Sequence, residues 1–258
     1  MVQYKKNLGQ NFLIDLNKIN EIINNIPNLD LKGEIFLEVG PGKGALTKEI
    51  TKRNFVIAIE IDKKLTDYLK EEIKENICLL NLDFLDVNLK KLLKKFEKVN
   101  FVSNLPYYIS TKIIFKILEE EKIQNVSVML QKELVERILA KPKTKTYGRL
   151  SVSINTFFEI KKEIRVPKEC FYPKPKIDSS FIILKKKDIK IDKIKYLAFI
   201  KECFANKRKT LLNSLKNSNS IYLNKVKDFL ELNKINILTR AEEISVNFYL
   251  LMWDYIKQ

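Results

Sequence analysis

Between residues 34 and 184 the chain alternates short β-prone apolar runs with segments whose apolar residues recur at helical spacing, and this alternation limits the available folds. The runs are 35–39 (IFLEV), 55–59 (FVIAI), 77–80 (ICLL), 99–102 (VNFV) and 126–130 (VSVML), with helical patterns between them at 63–75 and 109–121. Strands separated by helices predict βαβ units and a parallel sheet. Two later runs, near 151–160 and 179–184, have no helix between them and are expected to form an antiparallel edge. After Lys187 the strand signal stops, and amphipathic patterns predict helices over 194–204, 210–215, 221–232 and 244–256. The lysine-rich stretch 185–193 reads as a linker. The expected architecture is an α/β, Rossmann-like domain over residues 1–186 followed by a small all-α domain over 187–258.

Composition narrows what such a fold can do. The net charge is +16, from 48 Lys+Arg against 32 Asp+Glu, which points to a polyanionic partner. Forty-two of the basic residues are lysine and six are arginine; together with abundant Ile and Asn, this also fits codon drift in an AT-rich genome. Distribution separates the two explanations. Residues 183–258 carry 16 basic and 8 acidic residues and the preceding 182 carry 32 and 24, so equal excesses fall on stretches of very unequal length and favour nucleic acid. The sequence contains no histidine, which argues against zinc hydrolases, zinc deaminases and Ser-His-Asp hydrolases. Cys78, Cys170 and Cys203 are scattered and fit neither a disulfide framework nor a metal cluster. No apolar stretch is long enough to span a bilayer, and residues 1–10 lack the apolar core of a signal peptide. A cytoplasmic, metal-free protein, monomeric by default, is expected.

The first β-run feeds directly into Gly40-Pro41-Gly42-Lys43-Gly44. A glycine-rich turn between a strand and a helix lets backbone approach a ligand closely beside the helix N-terminus. It is neither a P-loop nor a strict GxGxxG. Glu60 ends the second strand twenty residues after Gly40, where a carboxylate can accept both ribose hydroxyls of an adenosine cofactor. Asp83 follows the third strand and can accept from an adenine amine while Phe84 packs on the ring.

The fourth strand ends in NLPYYIST, residues 104–111, at the carboxyl edge where doubly wound sheets bind ligands. The exocyclic amine of a base is a poor nucleophile because its lone pair is delocalised into the ring. Two acceptors holding its hydrogens, the Asn104 side-chain oxygen and the Leu105 carbonyl, would push the nitrogen toward tetrahedral geometry. Pro106 stiffens the turn, and Tyr107 offers a stacking face for an extracted base.

The E-x-G-x-G loop, Glu60 and N-L-P-Y together resemble a class I S-adenosylmethionine methyltransferase acting on an amino group. Three further stretches, KNLGQNFL (6–13), FYPKPKIDS (171–179) and FANKRKTL (204–211), make the chain similar to the rRNA adenine dimethyltransferases, most closely their small-subunit branch. The resemblance implies that Gln10, Asn11 and Leu13 belong to an N-terminal segment closing over the cofactor. It also implies that Gly40, Gly42, Glu60, Asp83, Phe84 and Asn104 hold S-adenosyl-L-methionine, and that Phe171 forms a second aromatic wall opposite Tyr107. The implied substrate is a pair of adjacent adenosines in the 3′-terminal hairpin loop of 16S rRNA in the immature small ribosomal subunit. Lys207, Arg208 and Lys209 are the expected RNA contacts, with one Arg where relatives often have two. No general base is needed on this account, in keeping with the missing histidines.

Two alternatives stand beside it. The large-subunit branch, which methylates 23S rRNA and confers macrolide resistance, shares the glycine loop and F-x-P-x-P but usually carries Asn-Ile-Pro-Tyr-Asn where this chain has Asn104-Leu105-Pro106-Tyr107-Tyr108. A non-catalytic rRNA-binding assembly factor or transcription factor on the same fold would not need Glu60, Asn104 and Tyr107 intact.

Overall fold

A computed structural model describes residues 10–206 and 208–257. The chain runs β1 (Phe12–Leu13), α1 (Leu16–Ile23), β2 (Ile35–Val39), α2 (Thr47–Ile50), β3 (Phe55–Glu60), α3 (Lys63–Glu72) and β4 (Ile77–Asn81). It continues through α4 (Leu89–Leu92), β5 (Val99–Asn104), α5 (Ser110–Leu118), β6 (Ile123–Gln131), α6 (Lys132–Leu139), α7 (Arg149–Phe157), β7 (Phe158–Val166), β8 (Phe171–Tyr172) and β9 (Ser179–Lys186). Four helices follow: α8 (Lys193–Cys203), α9 (Leu211–Asn217), α10 (Leu223–Leu232) and α11 (Val246–Lys257).

Seven strands form one sheet in the order β4-β3-β2-β5-β6-β9-β7. The first five are parallel, and β9 runs antiparallel to β6, so this part of the sequence expectation holds. Parallel strands covered on both faces are nearly uniformly apolar, and β2, β3 and β5 are buried along almost their whole length. Between β2 and β5 the strand order reverses direction, opening a crevice at their carboxyl ends. Polar residues start the helices that return over the sheet: Asp15 accepts from the Lys18 amide, and Asp62 accepts from the Lys64 amide. A separate two-stranded ribbon pairs β1 with β8, Phe12 opposite Tyr172 and Leu13 opposite Phe171.

The expected strand near 151–160 is a helix until Phe157; the strand begins only at Phe158. The S-V-S-I-N alternation mimicked a half-exposed strand, but Ser151, Ser153 and Thr156 are as buried as Val152 and Ile154. Small polar side chains tolerate burial on every face of a helix, so alternation of residue type here is not alternation of exposure.

The chain divides into two compact units, and one crossing falls between Lys186 and Lys187, where the sequence placed its boundary. Residues Glu133–Phe158, however, group with the C-terminal helices rather than with the sheet. The physical reason is visible in the packing of α7: the Phe157 ring meets Tyr196 edge-on at 5.7 Å, and the Thr156 hydroxyl lies 3.0 Å from the Tyr196 hydroxyl. Trp253 sits at the centre of this second unit, with ring centroids of Tyr196, Phe199 and Tyr222 at 5.6, 5.6 and 5.7 Å. Two further tyrosines donate across the core, Tyr147 to the Ile244 carbonyl at 2.9 Å and Tyr249 to the Ala241 carbonyl at 2.8 Å. Burying the Tyr147, Tyr196 and Tyr249 rings while giving their hydroxyls partners combines apolar burial with polar satisfaction, whereas Trp253 Nε1 is buried without a hydrogen-bond partner among the described residues.

Candidate functional site

A cavity opens at the carboxyl ends of β2, β3 and β5, and its wall is assembled from the glycine loop, the end of β3, the turn after β4, the NLPYY stretch and β1. The loop leaves β2 with Gly40, Gly42 and Gly44 all at positive φ (64°, 61° and 80°), which side-chain-bearing residues adopt at a cost. At Gly42 space is short as well, because an added Cβ would lie 3.1 Å from the Phe12 ring. The loop therefore presents bare backbone to the cavity and seats against β1.

Glu60 is 4% exposed and lines the cavity. Its Oε2 accepts from the Gly42 amide at 3.1 Å and its Oε1 from the Asp62 amide at 2.9 Å. Glu60 thus ties the glycine loop to the start of α3, a structural duty that the sequence did not show. Each carboxylate oxygen retains acceptor capacity for a ribose hydroxyl. Burial raises the Glu60 pKa, and the two amide bonds work against that shift. Asp62 in turn accepts from Gln10 Nε2 at 3.3 Å, which places the N-terminal segment over this end of the cavity. Gln10, Asn11 and Leu13 all line the wall.

Glu38, on β2, is 2% exposed, as deeply buried as Asp62, and sequence reasoning passed over it except as a letter in the loop motif. It lines the same cavity, and its Oε2 has no hydrogen-bond partner among the described residues. Burial pushes its pKa up to about 8, the Thr47 hydroxyl opposes the rise and the Glu60 charge adds to it. A strand carboxylate in an apolar run, IFLEV, was the available signal: a charge at a core position calls for a polar cavity.

Across from the loop, Asp83 Oδ1 accepts from the Leu85 amide at 2.8 Å and so begins the short 3-10 turn that carries Phe84. Phe84 is buried and presents part of its ring to the cavity, with Ile61 and Leu82 nearby on the wall. These apolar groups beside one carboxylate suit a flat heterocycle with an exocyclic amine.

Asn104, Leu105, Pro106 and Tyr107 share this wall, so the cofactor half and the base half of the prediction converge on one cavity. The Asn104 side chain donates from Nδ2 to the Asn11 carbonyl at 3.0 Å. The Tyr107 hydroxyl is 2.8 Å from Ser179 Oγ, which fixes the plane of the ring. Ser179 is the last residue of FYPKPKIDS, and this contact gives that motif a role at the site. Phe171 does not take the place expected for it. It is 3% exposed, packs with Leu13 in the core beneath the sheet and is not among the residues lining the cavity. The β1–β8 register explains this: Leu13 and Phe171 share one face of the ribbon and Phe12 and Tyr172 the other, so Tyr172, 59% exposed, is the aromatic turned outward.

Of the basic cluster, Lys207 lies outside the described residues. Arg208 and Lys209 are exposed immediately before α9, whose N-cap Thr210 accepts from the Asn213 amide. Among the described residues no group of His, Cys, Asp and Glu could hold a metal ion, and no helix is long and apolar enough to cross a membrane.

Comparison with known proteins agrees with this geometry. The chain is 43% identical over 256 residues to "Ribosomal RNA small subunit methyltransferase A" of Mycoplasma mobile, covering 97% of each chain. It is 39% identical to the protein of the same name from Bacillus cytotoxicus, covering 96% of this chain and 90% of the other. Among solved structures, a dimethyladenosine transferase from Plasmodium falciparum superposes with a TM-score of 0.75 at 25% identity, covering 95% of this chain and 98% of that one. The 23S rRNA methyltransferase ErmE gives 0.68 at 25% identity over 96% and 100% of the two chains. The model of the family described as ribosomal RNA adenine dimethylase matches residues 1–258, and the chain belongs to that family.

Proposed function

We propose that this protein methylates the exocyclic amines of two adjacent adenosines in the 3′-terminal hairpin loop of 16S rRNA, twice each, in the maturing small ribosomal subunit of the cytoplasm. The observation that carries the reading is the placement of Asn104, Leu105, Pro106 and Tyr107 on the wall of the same cavity as Glu60 and the glycine loop. S-adenosylmethionine, when bound, supplies an electrophilic sulfonium methyl. The residues present fit it: positive-φ glycines that bring backbone close, carboxylates at Glu60 and Asp83 with spare acceptor capacity, and an apolar slot at Ile61, Leu82 and Phe84.

The chain's own work is to bind, orient and polarise. Tyr107 stacks on a base drawn out of the RNA, its ring held by Ser179, a contact worth about 1–3 kcal/mol per base. Asn104 Oδ1 and the Leu105 carbonyl accept from the amine and stabilise the ammonium that develops on attack. No side chain has to remove a proton before the methyl moves, because the amine loses its proton to water afterwards. Rate then comes from positioning, with reacting atoms held at near-attack distance.

The test is mass spectrometry of 16S rRNA fragments after incubation of unmethylated small subunits with the purified protein and cofactor. Two methyl groups should appear on each of two neighbouring adenosines. Modification confined to 23S rRNA, or absent from both RNAs, would overturn the proposal.

A further inference from the structure

The hydrogen bond from Asn104 to the N-terminal segment decides which end of the Asn104 amide meets the substrate. A backbone carbonyl can only accept, so the group 3.0 Å from the Asn11 carbonyl has to be the Asn104 NH2. The opposite end, Oδ1, has no hydrogen-bond partner among the described residues, and Asn104 lines the cavity. Asn11 is held where it is by the ribbon: Phe12 and Leu13 pair with Tyr172 and Phe171, and the Ile14 amide donates to the Cys170 carbonyl at 2.9 Å. Leu13 and Phe171 anchor that ribbon in the core.

We infer that the Asn11 carbonyl, carried on the β1–β8 ribbon, is a positioning group that locks the Asn104 amide with its oxygen toward the target amine. Without it the amide would be free to present its NH2, a donor facing a donor, for part of the time. The ribbon thereby joins two events. The segment that carries Gln10 and Asn11 over the cavity also completes the acceptor that activates the base, so an open ribbon leaves the amine unpolarised. The inference rests on the reading of Asn104 as the acceptor for the amine.

Aspartate at position 104 separates this from a merely structural contact. A protonated carboxyl reproduces the wild-type pattern, its O–H donating to the Asn11 carbonyl and its C=O facing the amine. An ionised carboxylate sets an oxygen against that carbonyl. Glu60 and Asp83 on the same wall also disfavour its ionised form, Glu38 joins them only where it ionises near pH 8, Lys43 favours it, and Tyr107 is neutral. The expected result for Asn104→Asp is a kcat that rises, relative to wild type at the same pH, at least about tenfold between pH 8.5 and 5.5. In the cofactor-free protein its melting temperature should rise relative to wild type over the same interval. If only acceptance from the amine mattered, the ionised form would be the better acceptor; a kcat ratio that is flat, or that falls toward low pH, overturns the inference.

A second measurement does not depend on how well aspartate is tolerated. Leu13→Ala loosens the anchor of the ribbon, and its effect on kcat is measured in the wild-type and in the Asn104→Ala background. A loss of several-fold in the first and almost none in the second is expected, because the ribbon acts through Asn104. Equal fold-losses in both overturn the inference. Failure of the wild-type protein to methylate any adenine amine is a different result: it removes the functional reading, while the melting data for Asn104→Asp still judge the contact itself.

Discussion

Glu60 and Trp253 are both almost completely buried, one in each unit, and for opposite reasons. Glu60 is a carboxylate held in the sheet unit by two backbone amides on the cavity wall, where the proposed function calls for an acceptor. Trp253 is surrounded by Tyr196, Phe199 and Tyr222 because the helical unit needs apolar volume. In the first case a few atoms at exact positions decide what the molecule binds, and their burial opposes stability. In the second many contacts share the work and no single one is tied to a ligand. Substitutions in the two regions should therefore separate cleanly into losses of function and losses of fold.

The largest effect is expected at the helical core. Trp253→Ala removes the ring on which three others pack and should destabilise the protein by about 3–5 kcal/mol, measured by denaturant unfolding followed by circular dichroism. Cofactor affinity of the folded fraction should stay within a few-fold of wild type. A large fall in affinity with little change in stability would break the comparison.

Asn104→Ala should do the reverse. Removing an acceptor that strengthens in the transition state is expected to lower kcat by about 10²–10³-fold, the cost of losing one preorganised polar group. Cofactor affinity by calorimetry should change only a few-fold. A kcat near wild type would remove NLPY from the chemistry. Glu60→Ala comes next, with cofactor affinity falling by about 1.5–3 kcal/mol, as for a hydrogen bond to a charged group. Because Glu60 also receives the Gly42 and Asp62 amides, part of that loss is a loosened loop. Glu60→Gln keeps one acceptor oxygen and should restore part of the affinity. An unchanged dissociation constant in Glu60→Ala would mean that the carboxylate serves the loop alone.

Glu38 gives the comparison a pH axis. Its folded pKa is raised to about 8 from an ordinary 4.5, chiefly by burial. Below the ordinary value the carboxyl is protonated in folded and unfolded chains alike. Between the two values the unfolded chain releases a proton that the folded one keeps, so stability falls as pH rises and stops falling above the folded pKa. The slope contributed is at most about 1.4 kcal/mol per pH unit. Glu38→Gln should remove it, making the cofactor-free variant relatively more stable at pH 7 than at pH 5 when each is compared with wild type. A wild-type curve parallel to that of the variant would show that Glu38 is ionised in the folded protein.

These residues also show what could be read from the sequence. The glycine loop, Glu60, Asp83 and NLPY could be read because each combines a residue type with a position relative to a strand end, and the βαβ alternation supplies those ends. Gln10, Asn11 and Leu13 were found through the resemblance alone. Glu38 was hidden because a buried carboxylate looks like one letter of an apolar strand until its surroundings are known. The Asn104–Asn11 and Tyr107–Ser179 contacts join residues far apart in the chain, and no local pattern encodes them. Phe171 came from the resemblance; the ribbon register, which no local pattern encodes, buries it beside Leu13 and off the described cavity wall. The helix at Arg149–Phe157 was misread because its serines are buried.

The smallest effect is expected on the surface of the helical unit, where the question of charge against codon drift is still to be decided by experiment. Arg208 and Lys209 are exposed just before α9, a place where each can meet one phosphate. If they do, Arg208→Gln and Lys209→Gln should each weaken rRNA binding by several-fold at moderate salt. Each should also reduce the slope of log affinity against log salt by about 0.7–0.9, the release expected for one phosphate contact. Affinity for S-adenosylmethionine should not change, because the described residues that line the cavity all fall between Gln10 and Ile109. Lys90 and Lys91, exposed on α4 of the sheet unit, provide the control. Neutralising them removes the same formal charge, so equal losses from the two sites would mean that binding follows net charge wherever it lies. A loss confined to Arg208 and Lys209 would instead make the RNA contact as local as the cofactor contact at Glu60, and the contrast between the two units would then be one of energy per residue rather than of precision.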